Sequence, residues 1–360
     1  GFKLTDNLTK FVTEEKARSL YRSIAKRNDV VVTISGTLGQ IAYIPEDSEY
    51  EEYLCSQRQF RVTFDTSKIY VPYLVFYFHT YEGQNKILCF ANQTGVPALA
   101  QPLKNFRQIQ VDIPPLEEQK KIAGIVETIN NKIETNNKIN RNLSEQAQAY
   151  FDELFVQNAS TDWSQGTLSD VGTIVAGGTP SKAKEEYYTE NGIAWITPKD
   201  LSVDKSIFIS HGENDITELG LQKSSATMMP AGTVLFSSRA PIGYIAIAAN
   251  EVSTNQGFKS VVPNSNVGTA YIYYLLKQLL PTIEGMASGS TFKEISGSAM
   301  KTVPTVIPDD ATLKRFDDFC QPIMLQIQKN EMESKRLAEL RDSLLPKLMS
   351  GELDVSDLEI

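Results

Sequence analysis

Histidine and cysteine are scarce in this 360-residue chain: two histidines, His79 and His211, and three cysteines, Cys55, Cys89 and Cys320. No Cys-x-x-Cys pair occurs, and neither histidine sits in a metal or nucleophile motif. A structural zinc site or a disulfide framework is therefore not expected, and a reducing cytoplasm fits. Long apolar runs are also missing. The longest stretches, such as residues 30–34 and 242–249, are far too short to span a bilayer. The chain opens Gly1-Phe2-Lys3-Leu4-Thr5-Asp6, which does not read as a secretory leader. No phosphate-binding Gly-x-x-x-x-Gly-Lys-Ser/Thr loop occurs, and Gly177-Gly178-Thr179-Pro180-Ser181-Lys182 has the wrong spacing for one. Asn-Pro-Pro, whose amide and carbonyl hold the amino group of a flipped adenine, is absent too. The expectation is a chain with no catalytic centre of its own.

A surplus of positive charge is lacking as well: the net charge is −9. Nucleic-acid binders are often basic, so the total speaks mildly against one. The total is an average, however, and residues 309–360 alone carry five more acids than bases. A basic face can persist behind such a tail.

What is present is an ordinary globular composition, 41% hydrophobic and 9% aromatic, at a length that suits two or three domains. The chain also repeats itself. Residues 28–42 match residues 232–246 with Gly39 on Gly243, and both read as a β-hairpin. Ser56-Gln57-Arg58-Gln59-Phe60-Arg61 matches Thr254-Asn255-Gln256-Gly257-Phe258-Lys259. Tyr73-Leu74-Val75-Phe76 matches Tyr271-Ile272-Tyr273-Tyr274, a short aromatic helix in each copy. Each copy ends at an Ile-Pro, 113–114 and 307–308, followed by a long helical pattern over about 116–155 and about 311–349. Ile122, Val126, Ile129, Ile133, Leu143, Ala147, Tyr150 and Leu154 recur at steps of three and four. So do Phe316, Cys320, Ile323, Ile327, Leu337, Leu344 and Leu348. Such steps describe a coiled-coil seam. The alternative, two unrelated α/β domains with helical linkers, does not explain why one offset of 194 residues aligns both prolines and most seam positions.

The fold class expected is α+β: two β-rich modules in pseudo-twofold repeat, separated by two long helices forming an antiparallel coiled coil. The boundaries read as a first module at 1–113, a spacer helix at 114–156, a second module at 157–308, a second spacer helix at 309–350 and a tail at 351–360. The second module has a leader with no counterpart in the first. By the repeat logic roughly 40 residues or more would precede Gly1.

This layout resembles the specificity subunits of type I restriction-modification enzymes. Its markers are Gly177-Gly178-Thr179-Pro180-Ser181, Trp195-Ile196-Thr197-Pro198-Lys199-Asp200 and Pro114-Pro115-Leu116-Glu117-Glu118-Gln119. The closing Leu344-Leu345-Pro346-Lys347-Leu348-Met349-Ser350-Gly351-Glu352-Leu353 is a further one. The second helix departs from the pattern, beginning Ile307-Pro308-Asp309-Asp310. The resemblance implies target-recognition domains that each read half of a split double-stranded DNA site. It implies two partner methyltransferase subunits, which carry S-adenosylmethionine and methylate adenine at N6. It also implies partner motor-nuclease subunits that use ATP and Mg. This chain would hold no cofactor and no metal. Other readings are the DNA-recognition part of a single-chain restriction-methylation enzyme, or a coiled-coil scaffold that binds proteins.

Candidate DNA contacts are polar or basic residues of the module loops, since Arg and Lys reach guanine edges or phosphates and Gln or Asn pairs with adenine. They are Arg58, Gln93 and Thr94 in the first module, and Thr179, Ser181, Lys182, Lys199, Arg239, Ser290, Thr291 and Lys293 in the second. Any one of them alone could be a solvated surface residue. The helix lysines Lys120, Lys121, Lys132, Lys138, Lys329 and Lys335, with Arg336, are expected to be partly covered by methyltransferase subunits, although a solvated charged face is their usual fate. Finally, the 194-residue offset carries Asn136 onto Asn330, both on the seam. Antiparallel pairing about a pseudo-twofold axis would bring them together. A buried amide there costs stability and penalises slipped registers. Replacing both with Leu would raise thermal stability and loosen spacer selectivity.

Overall fold

The structure, a computed structural model, describes residues 1–6, 10–92, 98–289 and 293–355. It divides into two compact units, one of residues 1–133 with 335–360 and the other of residues 134–334. Two long helices, Leu116–Asp152 and Asp310–Met349, each contribute one part to the first unit and one to the second.

In the first unit the hairpin Val30–Thr33/Ile41–Tyr43 pairs antiparallel, and Gln59–Val62 adds to the free side of Val30–Thr33. Ile24–Lys26 and Glu52–Leu54 form a second, two-stranded sheet. One face of the three-stranded sheet, through Val30, Val32, Ile41 and Phe60, packs on the helix Val71–His79, where every residue from Val71 to Phe78 is buried, while Val31 on its other face packs with Ala25 and Tyr53 of the two-stranded sheet. That helix is buried on all sides because its opposite face meets the long helices: Tyr73 and Phe76 lie among Ile122, Val126, Leu345 and Leu348. Thr80 ends it and caps the next helix, Tyr81–Leu88, by accepting from the Gly83 N–H at 3.1 Å. The Pro-Pro-Leu-Glu-Glu-Gln motif also has a local cause. Gln119 is fully buried; it accepts from the Tyr70 amide at 2.9 Å and donates to the Lys68 and Pro114 carbonyls. The motif thus ties the start of the helix to its module.

The second unit holds a five-stranded sheet in the order Phe208–Ile209, Ile242–Ala248, Val234–Ser238, Lys259–Pro263, Gly172–Ala176. Its pairs are antiparallel except the first, which is parallel. One face packs on the helix Thr269–Met286 and on the long helices, through Val234, Phe236 and Val261 with Tyr271, Tyr274, Phe151 and Phe316. The other face, through Leu235, Ala246 and Phe258, packs on a four-stranded sheet containing Ile193–Ile196. The leader sequence builds three of the four strands of this second sheet.

The two modules share unusual backbone geometry at the spacing of the repeat. Positive φ falls at Asn28 and Gly232, at Gly36 and Ala240, and at Gly39 and Gly243. These are 204 residues apart in each case, so one hairpin design is used twice. At Gly243 a Cβ would lie 2.6 Å from Leu280 of the helix Thr269–Met286, and at Gly39 it would lie 3.0 Å from Leu88 of the helix Tyr81–Leu88, so glycine also permits a close approach to a later helix in each module. The sheet register moves one part of the sequence match. Ile34 N donates to the Arg58 carbonyl at 2.8 Å, and its counterpart Ser238 N donates to the Gly257 carbonyl at 2.7 Å. Arg58 therefore stands at the place of Gly257, and Gln57 at that of Gln256, one residue away from the alignment of the two phenylalanines.

The seam runs as expected from the steps of three and four, with local shifts. Ile122, Val126 and Ile129 are buried, as are Phe316, Cys320, Ile323 and Ile327. Near the second C-terminus Leu348 is buried as expected, and Leu345 is buried while Leu344 is only partly so. The first helix ends in a π turn, Glu153–Gln157. Where the second lacks the proline pair, Asp309 caps it by accepting from Thr312 N at 2.9 Å. Gly351 follows at φ +75°, a conformation suited to glycine after a helix end.

Candidate nucleic-acid interface

In the second unit three separate motifs converge on one turn. The Gly177-Gly178-Thr179 segment lies on residues 254–258: Gly178 N donates to the Thr254 carbonyl at 2.9 Å, and the Thr179 hydroxyl donates to Gln256 Oε1. A Cβ at Gly177 would sit 2.0 Å from the Asn255 carbonyl oxygen, so Gly177 permits this approach, while Gly178 lets the segment pass residues 225–226, where a Cβ would lie 2.3 Å from the Ala226 nitrogen. Trp195 fixes the segment from below, its Nε1 donating to the Gly178 carbonyl at 3.0 Å. Thr197 and Asp200 form a capping box on the helix Pro198–Val203, which orients Lys199 outward. The result is a cleft of about 640 Å³ lined by Thr179, Lys182, Lys199, Trp195, Asn255 and Gln256, among others.

The expected contact residues are distributed as follows. Thr179, Lys182 and Lys199 share the cleft, and Ser181 is exposed beside it. Lys199 Nζ lies 2.6 Å from Glu213 Oε2, and that hydrogen bond raises its pKa. Arg239 lies at the hairpin tip rather than among the cleft's lining residues, 3.5 Å from Glu294 Oε2. A bridge joins Arg239 to Glu294, and its counterpart in the first unit joins Ser35 to Ala98. Lys293 is exposed next to Glu294. Arg58 is exposed on the turn before Gln59–Val62. Gln93, Thr94, Ser290 and Thr291 lie outside the described residues.

Sequence reasoning passed over Gln256, Asn255 and Lys259. Lys259 is buried with its Nζ 3.6 Å from Glu294 Oε1 and 3.4 Å from both Ser238 Oγ and the Gln256 carbonyl, so it braces the turn and the hairpin together. The repeat carries the signal for the turn, since Arg58 lies on it and its partner in the sequence match is Gln256. Nothing in the sequence pairs Lys259 with Glu294.

The spacer amides are close together. Asn136 and Asn330 are buried at 1% and 5% exposure. Asn136 Nδ2 lies 3.5 Å from the Asn330 carbonyl and 2.8 Å from Glu333 Oε2, while Asn330 Nδ2 donates to Asn140 Oδ1 at 2.8 Å. Among the described residues no three His, Cys, Asp or Glu side chains gather as a metal site, and no helix is long and apolar enough to cross a membrane.

A family model for the type I restriction modification DNA specificity domain matches residues 13–145 and 160–338. The chain belongs to this family, that of the type I restriction-modification specificity subunits. It is 38% identical over 199 residues to the type I restriction enzyme MjaIX specificity subunit of Methanocaldococcus jannaschii. That match takes in 53% of this chain and 45% of the relative, so the chain spans less than half of it. It is 23% identical over 393 residues to the HindI specificity subunit of Haemophilus influenzae, covering 88% of this chain and 84% of that one. In fold it is similar to the type I restriction-modification S subunit of M. genitalium, with a TM-score of 0.57 at 17% identity, over 90% of this chain and 83% of that one.

Proposed function

We propose that this chain is the sequence-reading subunit of a type I restriction-modification complex, with each module reading one half of a split DNA site. The observation that carries the reading is the duplication in three dimensions: one hairpin–strand–helix module occurs twice, with positive φ in step at three pairs of positions, and a long helix follows each copy. Two like readers suit a site with two short parts. Helices of 37 and 40 residues rise roughly 55–60 Å, a length that suits two readers on separate major-groove segments. Lys182, Lys199 and Arg239 supply the donors such reading uses, for phosphates as well as base edges.

The chemistry then belongs to partners: two methyltransferase subunits carrying S-adenosylmethionine, and motor-nuclease subunits using ATP and Mg. The exposed lysines of the long helices are the surface proposed for the first of these. A gel shift with random-sequence duplex, with and without a co-expressed methyltransferase subunit, tests the reading. A shift that strengthens with the partner and falls steeply with salt is expected. No shift in either arm would leave the protein-binding scaffold as the better account.

A further inference from the structure

We propose that Gln256 is the adenine-reading residue of the second module and that Gln57 is its counterpart in the first. The proposal rests on the reading of the modules as half-site readers and names the side chains that discriminate.

The backbone under Gln256 is held from several directions. Asn255 Oδ1 accepts from Gly257 N at 2.8 Å. The Gly257 carbonyl accepts from Ser238 N at 2.7 Å and from Ser238 Oγ at 3.1 Å. Lys259 Nζ lies against the Gln256 carbonyl, and Gly177 crosses so closely that no side chain fits there. Only the Gln256 side chain leaves this braced turn, and it stands exposed in the cleft with Lys182 and Lys199. A base reader needs this arrangement, because discrimination requires a donor and an acceptor held in place before contact.

The amide is also oriented. The Thr179 hydroxyl donates to Oε1 and so engages one end of the amide beside the turn. Oε1 retains a second lone pair. An oriented amide presents one acceptor beside one donor. Adenine alone shows the complementary pair in the major groove, an N6 donor beside the N7 acceptor. Guanine shows two acceptors, and one of them would face Oε1. Lys182 and Lys199 flank the turn with the positive charge that neighbouring phosphates would meet.

The first module supports the same role independently. The sheet register, not the sequence match, places Gln57 where Gln256 stands, through the equivalent bonds of Ile34 and Ser238. Gln57 is exposed, with Arg58 next to it.

The test is single-molecule methylome sequencing of a methylation-free host that expresses this chain with its methyltransferase subunit. The wild type should give one two-part motif. Gln256→Ala should relax one A·T position in one half only, with about tenfold to a hundredfold loss of discrimination there. Gln57→Ala should do the same in the other half. An unchanged motif overturns the proposal. So does relaxation at a G·C position, or methylation lost uniformly while the melting temperature holds, which would indicate a phosphate contact. If Ala disturbs the turn, the isosteric Gln256→Glu decides. It replaces the donor by an acceptor and should shift preference from adenine to cytosine, whose N4 donates; retained adenine preference overturns the assignment. A wild type that yields no two-part motif would instead count against the functional reading itself.

Discussion

Arg239 illustrates how a residue can serve both the structure and the proposed reading. Its guanidinium sits at the hairpin tip, about a third exposed and within 3.5 Å of Glu294. A contact that open contributes on the order of 0.5 kcal/mol or less, so Arg239→Ala should leave folding nearly unchanged. Methylation mapping should then show one half-site weakened or relaxed and the other intact. Unchanged site preference together with unchanged affinity would remove Arg239 from the interface. The spacer amides respond differently because they form a cluster. Replacing Asn136 and Asn330 with Leu strands Asn140, whose Oδ1 loses its donor at 9% exposure. An unsatisfied buried group costs about 1–3 kcal/mol, so the double replacement gives up much of the gain expected from sequence alone. The triple Asn136→Leu, Asn140→Leu, Asn330→Leu should melt higher than the double and, if these amides fix register, should tolerate more than one spacer length. Equal melting temperatures for the double and triple variants would contradict the cluster.

At the level of elements, Glu331 joins helix to sheet. Its carboxylate oxygens accept from the Ile207 and Phe208 amides at 2.7 and 3.0 Å, at the edge of the five-stranded sheet. Burial pushes its pKa up to about 7, against the lowering effect of those two amides and with a smaller upward push from Asp204. The folded state therefore binds this proton more tightly than the unfolded state does. The contribution is complete below the unfolded pKa and is lost as pH rises through about 7. Calorimetry should show the second unit melting lower at pH 7.5 than at pH 5, and Glu331→Gln should flatten that slope while lowering stability at pH 5 by removing one acceptor. An identical slope in the variant would contradict the assignment. Much at this scale was legible in advance. Both long helices, both hairpins and the aromatic helix of each module follow from period and turn residues, because each is set by its own local pattern. The four-stranded sheet and the contact of Glu331 with a strand more than 120 residues away were not legible, because they arise from tertiary packing. The one-residue shift that pairs Gln57 with Gln256 was hidden for the same reason: Phe60 and Phe258 look equivalent in sequence but face different sides of their sheets.

For the whole molecule, the duplication explains more than either module alone. It accounts for the order of elements, the recurrence of strained turns and the long helix after each copy. The candidate interface was only partly legible. Thr179, Lys182 and Lys199 were visible as loop residues and do share a cleft, and Trp195 stood in a motif without a role of its own, but Lys259, which braces the turn, read as an ordinary strand position. Of the net charge of −9, five lie in residues 309–360, and in the cleft Lys182 and Lys199 stand beside Asp200 and Glu213, so the charge there is balanced rather than acidic. The central claim is that two like modules read a site in two parts. Selection from random-sequence duplexes, by this chain with its methyltransferase partner, tests it most directly. Sequencing the bound fraction should reveal two short specified blocks separated by a gap of fixed length and free sequence. One contiguous block, or no enrichment over the input pool, would contradict it.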